Sequence, residues 1–242
     1  MLAVAPDPRR FVEREIIAAT FRNAWPSLPA LTIASAAVCL AAVVPIVVVP
    51  GINPLAALLA AVCIAPFGAA LVAVVQQMAA GDHGTLTTWG RSLRRHWRFA
   101  IGHALVAAVP LAAFLAALHV LDRTGAPWVW PSVALSGAVA VLTALGLTAV
   151  IPLGLADPCL ASRGPTLWLA ALALVAARPV RFSAVVAAAG FVVWLGTAVS
   201  ASLLLFVPAP AAIVAVTATW TAAAATDPIA DASASTDPSG ES

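Results

Sequence analysis

Five stretches of this chain, residues 28–49, 54–75, 99–121, 132–155 and 183–207, each run for 22 to 25 residues without one Asp, Glu or Arg. A bilayer core about 30 Å thick is crossed by about 20 apolar residues at about 1.5 Å of helical rise each. Each stretch is therefore long enough to span as a helix. A sixth, residues 209–225, has 17 residues with several threonines and is the shortest candidate. Composition excludes the soluble alternative: 62% of residues are hydrophobic, 9% are charged and the mean hydropathy is +1.02. A water-soluble domain carries about 25% charged residues, so its surface could not be assembled from this chain. The expectation is an all-α membrane protein, a bundle of about six transmembrane helices with a cytoplasmic amphipathic helix. Residues 1–27 would form a cytoplasmic N-terminal segment, residues 28–225 the bundle and residues 226–242 an acidic, Ser-rich disordered tail.

The connections are punctuated by turn residues. Pro50-Gly51-Ile52-Asn53-Pro54 turns the chain between the first two spans, and the segment from Asp122 to Pro131 turns it between the third and fourth. Trp128 and Trp130 in the latter stand where interfacial anchors are expected. All twelve cations are arginines, a bias of the kind a GC-rich bacterial genome imposes. Arg9, Arg10, Arg14 and Arg22 precede the first span, Arg91, Arg94, Arg95 and Arg98 lie in the second connection, and Arg163, Arg178 and Arg181 lie in the fourth. Arg123 alone falls on the other side, so the positive-inside rule places the N-terminus in the cytoplasm of a bacterial cell, with the chain in its inner membrane. Pro and acidic residues break up the first 17 residues, which lack the order of a signal peptide.

The densest charge lies in Gly81–Phe99, "GDHGTLTTWGRSLRRHWRF". On a helix, Arg91, Arg94, Arg95 and Arg98 fall at i, i+3, i+4 and i+7 as one stripe, with Trp89, Leu93, Trp97 and Ala100 opposite. Thr87 or Thr88 is placed to cap the first turn. Such a helix would bed its tryptophans at the boundary between headgroups and acyl chains and present arginine to lipid phosphate, or dock an acidic partner. Trp89, Arg91, Arg94, Arg95, Trp97 and Arg98 are accordingly the candidate contact residues for lipid or partner. A net charge of +2 beside so much apolar surface argues against nucleic acid. A second unusual segment, residues 164–182, holds an 11-residue apolar run too short to cross. It is expected as a helix at the cytoplasmic interface or tucked under the bundle, ending at Arg178-Pro179.

Catalytic and metal chemistry find no constellation. Cys39, Cys63 and Cys159 are scattered, without CxxC spacing, and read as packing residues. His83, His96, His103 and His119 show no ligand spacing. His96 and His103 share a face seven residues apart, which fits either a proton relay or simple interfacial hydrogen bonding. Asp157 reads as the end of the fourth span. No cofactor, metal or catalytic residue is expected, and an enzyme would require His96, His103 and Asp157 to gather around a pocket. Prolines Pro45, Pro66, Pro110 and Pro152 in or beside the spans allow kinks. A transporter or channel would use them together with a hydrated path lined by Ser136, Thr143, Thr148 and Thr197.

Residues 64–105, "IAPFGAALVAVVQQMAAGDHGTLTTWGRSLRRHWRFAIGHAL", resemble the YesL-like bacterial membrane proteins. The shared order is an apolar helix with Pro before small residues, a short polar turn, an aromatic and Arg-rich helix, and the next span. Residues 166–190, "TLWLAALALVAARPVRFSAVVAAAG", resemble the same family's short Ala/Leu helix, Arg-Pro break and following span. The chain differs in carrying Trp89 and His96-Trp97 where the family has Phe and Asn, and in its additional span 28–49. The resemblance implies an association with carbohydrate uptake or glycan utilisation and supplies no binding residues. The two segments Thr87–Arg98 and Thr166–Ala177 offer more cytoplasmic surface than simple connections need, so the expectation is a non-enzymatic accessory or scaffold subunit that docks a partner such as a membrane transporter. The permeases of binding-protein-dependent importers carry a Glu-Ala-Ala…Gly loop that Ala79-Ala80-Gly81 does not match.

Overall fold

The computed structural model describes residues 13–180, 182–184, 186, 187, 190 and 207–224. All regular elements among them are helical: α1 (Glu13–Val48), α2 (Pro54–Ala79), α3 (Leu86–Thr124), α4 (Trp130–Ala156), the short α5 (Pro158–Ser162), α6 (Gly164–Ala177) and α7 (Pro208–Ala224). A single 3₁₀ turn, Pro127–Val129, leads into α4. Four segments, Ala18–Val48, Pro54–Ala79, Leu86–Thr124 and Pro127–Ala156, are long and apolar enough to cross a membrane. The apolar helices make this a membrane-embedded protein. The expected span 183–207 falls mostly outside the described residues, and the tail 226–242 wholly so. The expected sixth span coincides with α7, whose 17 residues extend about 26 Å.

Local chemistry sets the helix ends. Asn53 caps α2, its Oδ1 accepting from the Ala56 N–H at 2.9 Å ahead of Pro54 in the first turn. The cap of α3 is Thr85, one turn earlier than Thr88: its Oγ1 accepts from the Thr88 N–H at 3.3 Å, and the Thr87 and Thr88 hydroxyls gather around it. Gly125 closes α3 at φ 59°, and Gly81 follows α2 at φ 92°, both left-handed positions open to glycine without a side-chain clash. Asp157 ends α4 and caps α5, its Oδ1 accepting from the N–H groups of Cys159 at 2.8 Å and Leu160 at 3.1 Å. Trp128 and Trp130, at the same end of the bundle as Gly125, are 75% and 60% exposed.

The first helix starts at Glu13, so residues 13–27, expected as a cytoplasmic segment, continue the helix into the bundle despite Pro26 and Pro29. The physical reason is a polar face that finds partners. Asn23 Nδ2 donates to the Met78 carbonyl at 3.1 Å, and Ser27 Oγ accepts from the Gly84 N–H at 2.9 Å. A Cβ at position 84 would lie 2.6 Å from Val74 Cγ1, so glycine permits this close approach. Gln76 Nε2 donates to the Pro152 carbonyl at 2.7 Å and ties α2 to α4 beside its internal proline.

These bonds lie at one end of the bundle, and so does the core. Leu31, Ala34 and Val38 of α1, Leu71, Val74, Val75 and Met78 of α2, and Val216 and Trp220 of α7 are buried together. A second cluster joins Ala149 and Val150 of α4 to Leu167, Ala171 and Val175 of α6, with Phe182 and Ala222. At the other end Ile46, Val47, Ile52, Leu55 and Leu135 are exposed, as side chains facing acyl chains can be. Small residues allow the helices to approach in the absence of a hydrophobic driving force between them: Ala100, Ala104, Ala108 and Ala112 form the buried stripe of α3.

The placement of α6 differs from a helix lying along the interface. Gly146 of α4 faces Trp168 and Leu172, whereas Gly154 faces Phe99 and Leu167, so α6 runs antiparallel to α4 and climbs beside it. Its buried residues Leu167, Ala171 and Val175 recur every four positions, a seam that packs on α4. Arg163 and Arg178 thus flank α6 at opposite ends, about 21 Å apart, rather than grouping in one connection.

Candidate functional site

Helix α3 has 39 residues and a length of about 58 Å, roughly twice the thickness of a bilayer core. Its apolar run begins at Phe99, so residues 86–98 extend the same unbroken helix by about 20 Å. Arg91, Arg94, Arg95 and Arg98 are all exposed on this extension. The opposite face packs inward: Ser92 is buried, and Trp89 is half-buried with its ring centroid 6.2 Å from that of Phe67. The two tryptophans of the proposed contact set therefore separate. Trp89 belongs to the packing between α3 and α2, while Trp97, 44% exposed, carries the Arg98 guanidinium 5.1 Å from its ring centroid. The reason is angular: Trp89 shares the sector of Ser92 and Ala100 that meets α2, and Trp97 lies beyond its edge.

A cleft of about 390 Å³ opens where this extension meets the foot of α6, lined by Arg98, Phe99, Gly102, His103, Val106, Gly164, Pro165 and Trp168. Trp168 Nε1 donates to His103 Nδ1 at 2.9 Å, and the Phe99 ring meets the imidazole edge-on with centroids 4.5 Å apart. Because Nδ1 accepts, the neutral ring carries its proton on Nε2. The cleft walls are mostly aromatic and aliphatic carbon, and its polar groups, Arg98 and His103, lie toward the end where the apolar run of α3 begins.

The other candidate groups do not converge. His96 Nδ1 pairs with Ser92 Oγ at 3.2 Å, a turn from its own position, so His96 and His103 have separate partners, as the hydrogen-bonding reading anticipates. Asp157 is engaged at the α5 cap. Among the described residues no group of three His, Cys, Asp or Glu could hold a metal ion. The hydroxyls of Ser136, Thr143 and Thr148 donate to carbonyls of their own helix at 2.6, 2.9 and 2.6 Å. Thr197 lies outside the described residues.

Sequence reasoning located Arg98 and His103 but not the cleft. The helix α6 ends at Arg178 as expected, but its contacts with the glycines of α4, which place it beside α3, have no signature in a run of Ala and Leu. The polar ties Asn23–Met78, Ser27–Gly84 and Gln76–Pro152 were also missed. Their only signal was an uncommon amide or hydroxyl near the end of an apolar run. No family model, curated protein or solved structure matches the chain.

Proposed function

We propose that this chain is a non-enzymatic multi-pass protein of a bacterial inner membrane, with its N-terminus in the cytoplasm, acting as an accessory or scaffold subunit that docks a partner such as a transporter for carbohydrate uptake. The observation that carries the reading is the extension of α3, an unbroken helix that continues past the apolar run with four arginines exposed on one face. A simple connection between spans needs no such structure. Arg22 of α1, the arginine row of α3 and Arg163 before α6 all lie at the end of the bundle marked by the Asn23–Met78 and Gln76–Pro152 ties, whereas Arg123 lies at the opposite end and Arg178 at the far end of α6. That asymmetry supports the orientation. Kinship with the YesL-like proteins is part of the same proposal and rests on the two segments quoted above.

The engagement of Ser136, Thr143 and Thr148 with their own backbones favours a packed bundle over a hydrated path. Site-specific photo-crosslinking in intact cells tests the docking role. A crosslinker at position 94 should yield a defined membrane-protein adduct that a crosslinker at position 123 does not. Adducts with lipid alone from position 94 would overturn the proposal.

A further inference from the structure

The cleft between α3 and α6 has the polarity profile of a phospholipid lying along a membrane helix. Its cationic end is Arg98, the last residue before the apolar run of α3, and Trp97 beneath the guanidinium holds it in place. From there the lining passes to Phe99 and Gly102 and reaches Val106, about 12 Å further along the helix. Pro165 and Trp168 form the facing wall, and the first turn of α6 opens toward the same end without a side-chain cap. Gly102, Val106 and Pro165 are exposed, so the cleft is open along its flank, where acyl chains would enter. A volume of about 390 Å³ falls within the range of about 300–1,000 Å³ common for small-ligand sites.

We infer that this cleft binds one anionic phospholipid, its phosphate paired with Arg98 and its acyl chain laid over Gly102 and Val106 against Trp168. Charge complementarity selects the occupant. The guanidinium offers several N–H donors to phosphate oxygens, His103 keeps a further N–H on Nε2 while Trp168 occupies Nδ1, and the remaining wall offers only carbon to a chain. A zwitterionic lipid shares the phosphate but brings its own cation to a rim already flanked by Arg94 and Arg95. The absence of a side chain at Gly102 is what leaves the acyl path open. A Cβ built there meets no atom within 4 Å, so a larger residue would enter the cleft and not the bundle. The inference rests on the chain being membrane-embedded and not on the docking role.

Native mass spectrometry of the delipidated full-length protein, titrated with phosphatidylglycerol, with phosphatidylcholine of the same chains, and with inorganic phosphate, tests the site. One phosphatidylglycerol should be retained per chain, about tenfold more tightly than phosphatidylcholine, with no comparable retention of phosphate. Arg98→Gln should weaken that retention about tenfold, and Gly102→Leu should abolish it while Arg98 is intact. Arg123→Gln, at the other end of the bundle, should leave it unchanged. Wild-type retention in Gly102→Leu, in Arg98→Gln, or equal binding of inorganic phosphate would overturn the inference. Because Gly102→Leu leaves Arg91, Arg95 and Arg98 in place, loss of lipid with an intact crosslink from position 94 separates this site from the docking surface.

Discussion

Replacing Gly146 by alanine should destabilise the bundle, and the structure indicates by how much. Gly146 is buried where α4 meets α6, and an added methyl carbon would lie 2.8 Å from Trp168 Cζ3 and 3.2 Å from Leu172 Cδ2. Carbon atoms pack at about 3.5–4.0 Å, so the indole must retreat by about 0.7 Å or more. It has little room to do so, because its Nε1 is bonded to His103 at 2.9 Å. Overpacking of this kind costs about 1–3 kcal/mol. Alanine in place of glycine within a helix returns about 0.8–1.0 kcal/mol. The net effect is a loss of up to about 2 kcal/mol. Gly68→Ala in α2 is the matched control, since the same change there meets nothing within 4 Å. The difference between the two variants, about 1–3 kcal/mol, isolates the contact from the propensity. Reversible unfolding in mixed micelles, followed by circular dichroism, measures both. In a Trp168→Leu background the closest clash is gone and only Leu172 Cδ2 at 3.2 Å remains, so Gly146→Ala should cost clearly less than in the wild type. If Gly146→Ala and Gly68→Ala agree within about 0.3 kcal/mol, the packing of α6 on α4 described above is refuted.

Three further outcomes follow from local geometry. Gly125→Ala places a side chain at φ 59° and should lower stability by about 1–2 kcal/mol in the same unfolding assay. Asp157→Ala removes both acceptor contacts at the start of α5 and should cost about 0.5–2 kcal/mol, whereas Asp157→Asn, with an acceptor oxygen retained, should cost less. Cysteines introduced at positions 94 and 123, with Cys39, Cys63 and Cys159 replaced, should react with an impermeant maleimide from opposite sides of the membrane. Labelling of both from one side would refute the path of α3 as a spanning helix.

Much of the scaffold could be read before any coordinates. Long uncharged runs admit helix in a bilayer, so the spans containing α2, the apolar part of α3 and α4 begin and end close to where proline, asparagine and glycine place them. The arginine stripe was legible because 3.6-residue periodicity alone puts Arg91, Arg94, Arg95 and Arg98 on one face. The cap at Thr85 was misplaced by one turn, since three threonines stand close together and only the backbone angles distinguish the residue that starts the helix.

Composition and periodicity by themselves determined that this chain is helical and membrane-embedded, which arginines share a face, and where the polypeptide turns. Those properties depend on residues near one another in the chain and on the solvent that the whole composition demands. Tertiary structure alone decided that residues 18–27 join the bundle, that α6 climbs beside α4, and that Trp89 turns inward while Trp97 stays out. Each depends on a partner remote in sequence: the Met78 carbonyl for Asn23, the bare backbone of Gly146 for Trp168, the ring of Phe67 for Trp89. In a chain built largely of Ala, Val and Leu, one apolar face resembles another. Which glycine is open, as Gly102 is, and which is filled by a neighbour, as Gly146 is, follows from how the helices meet.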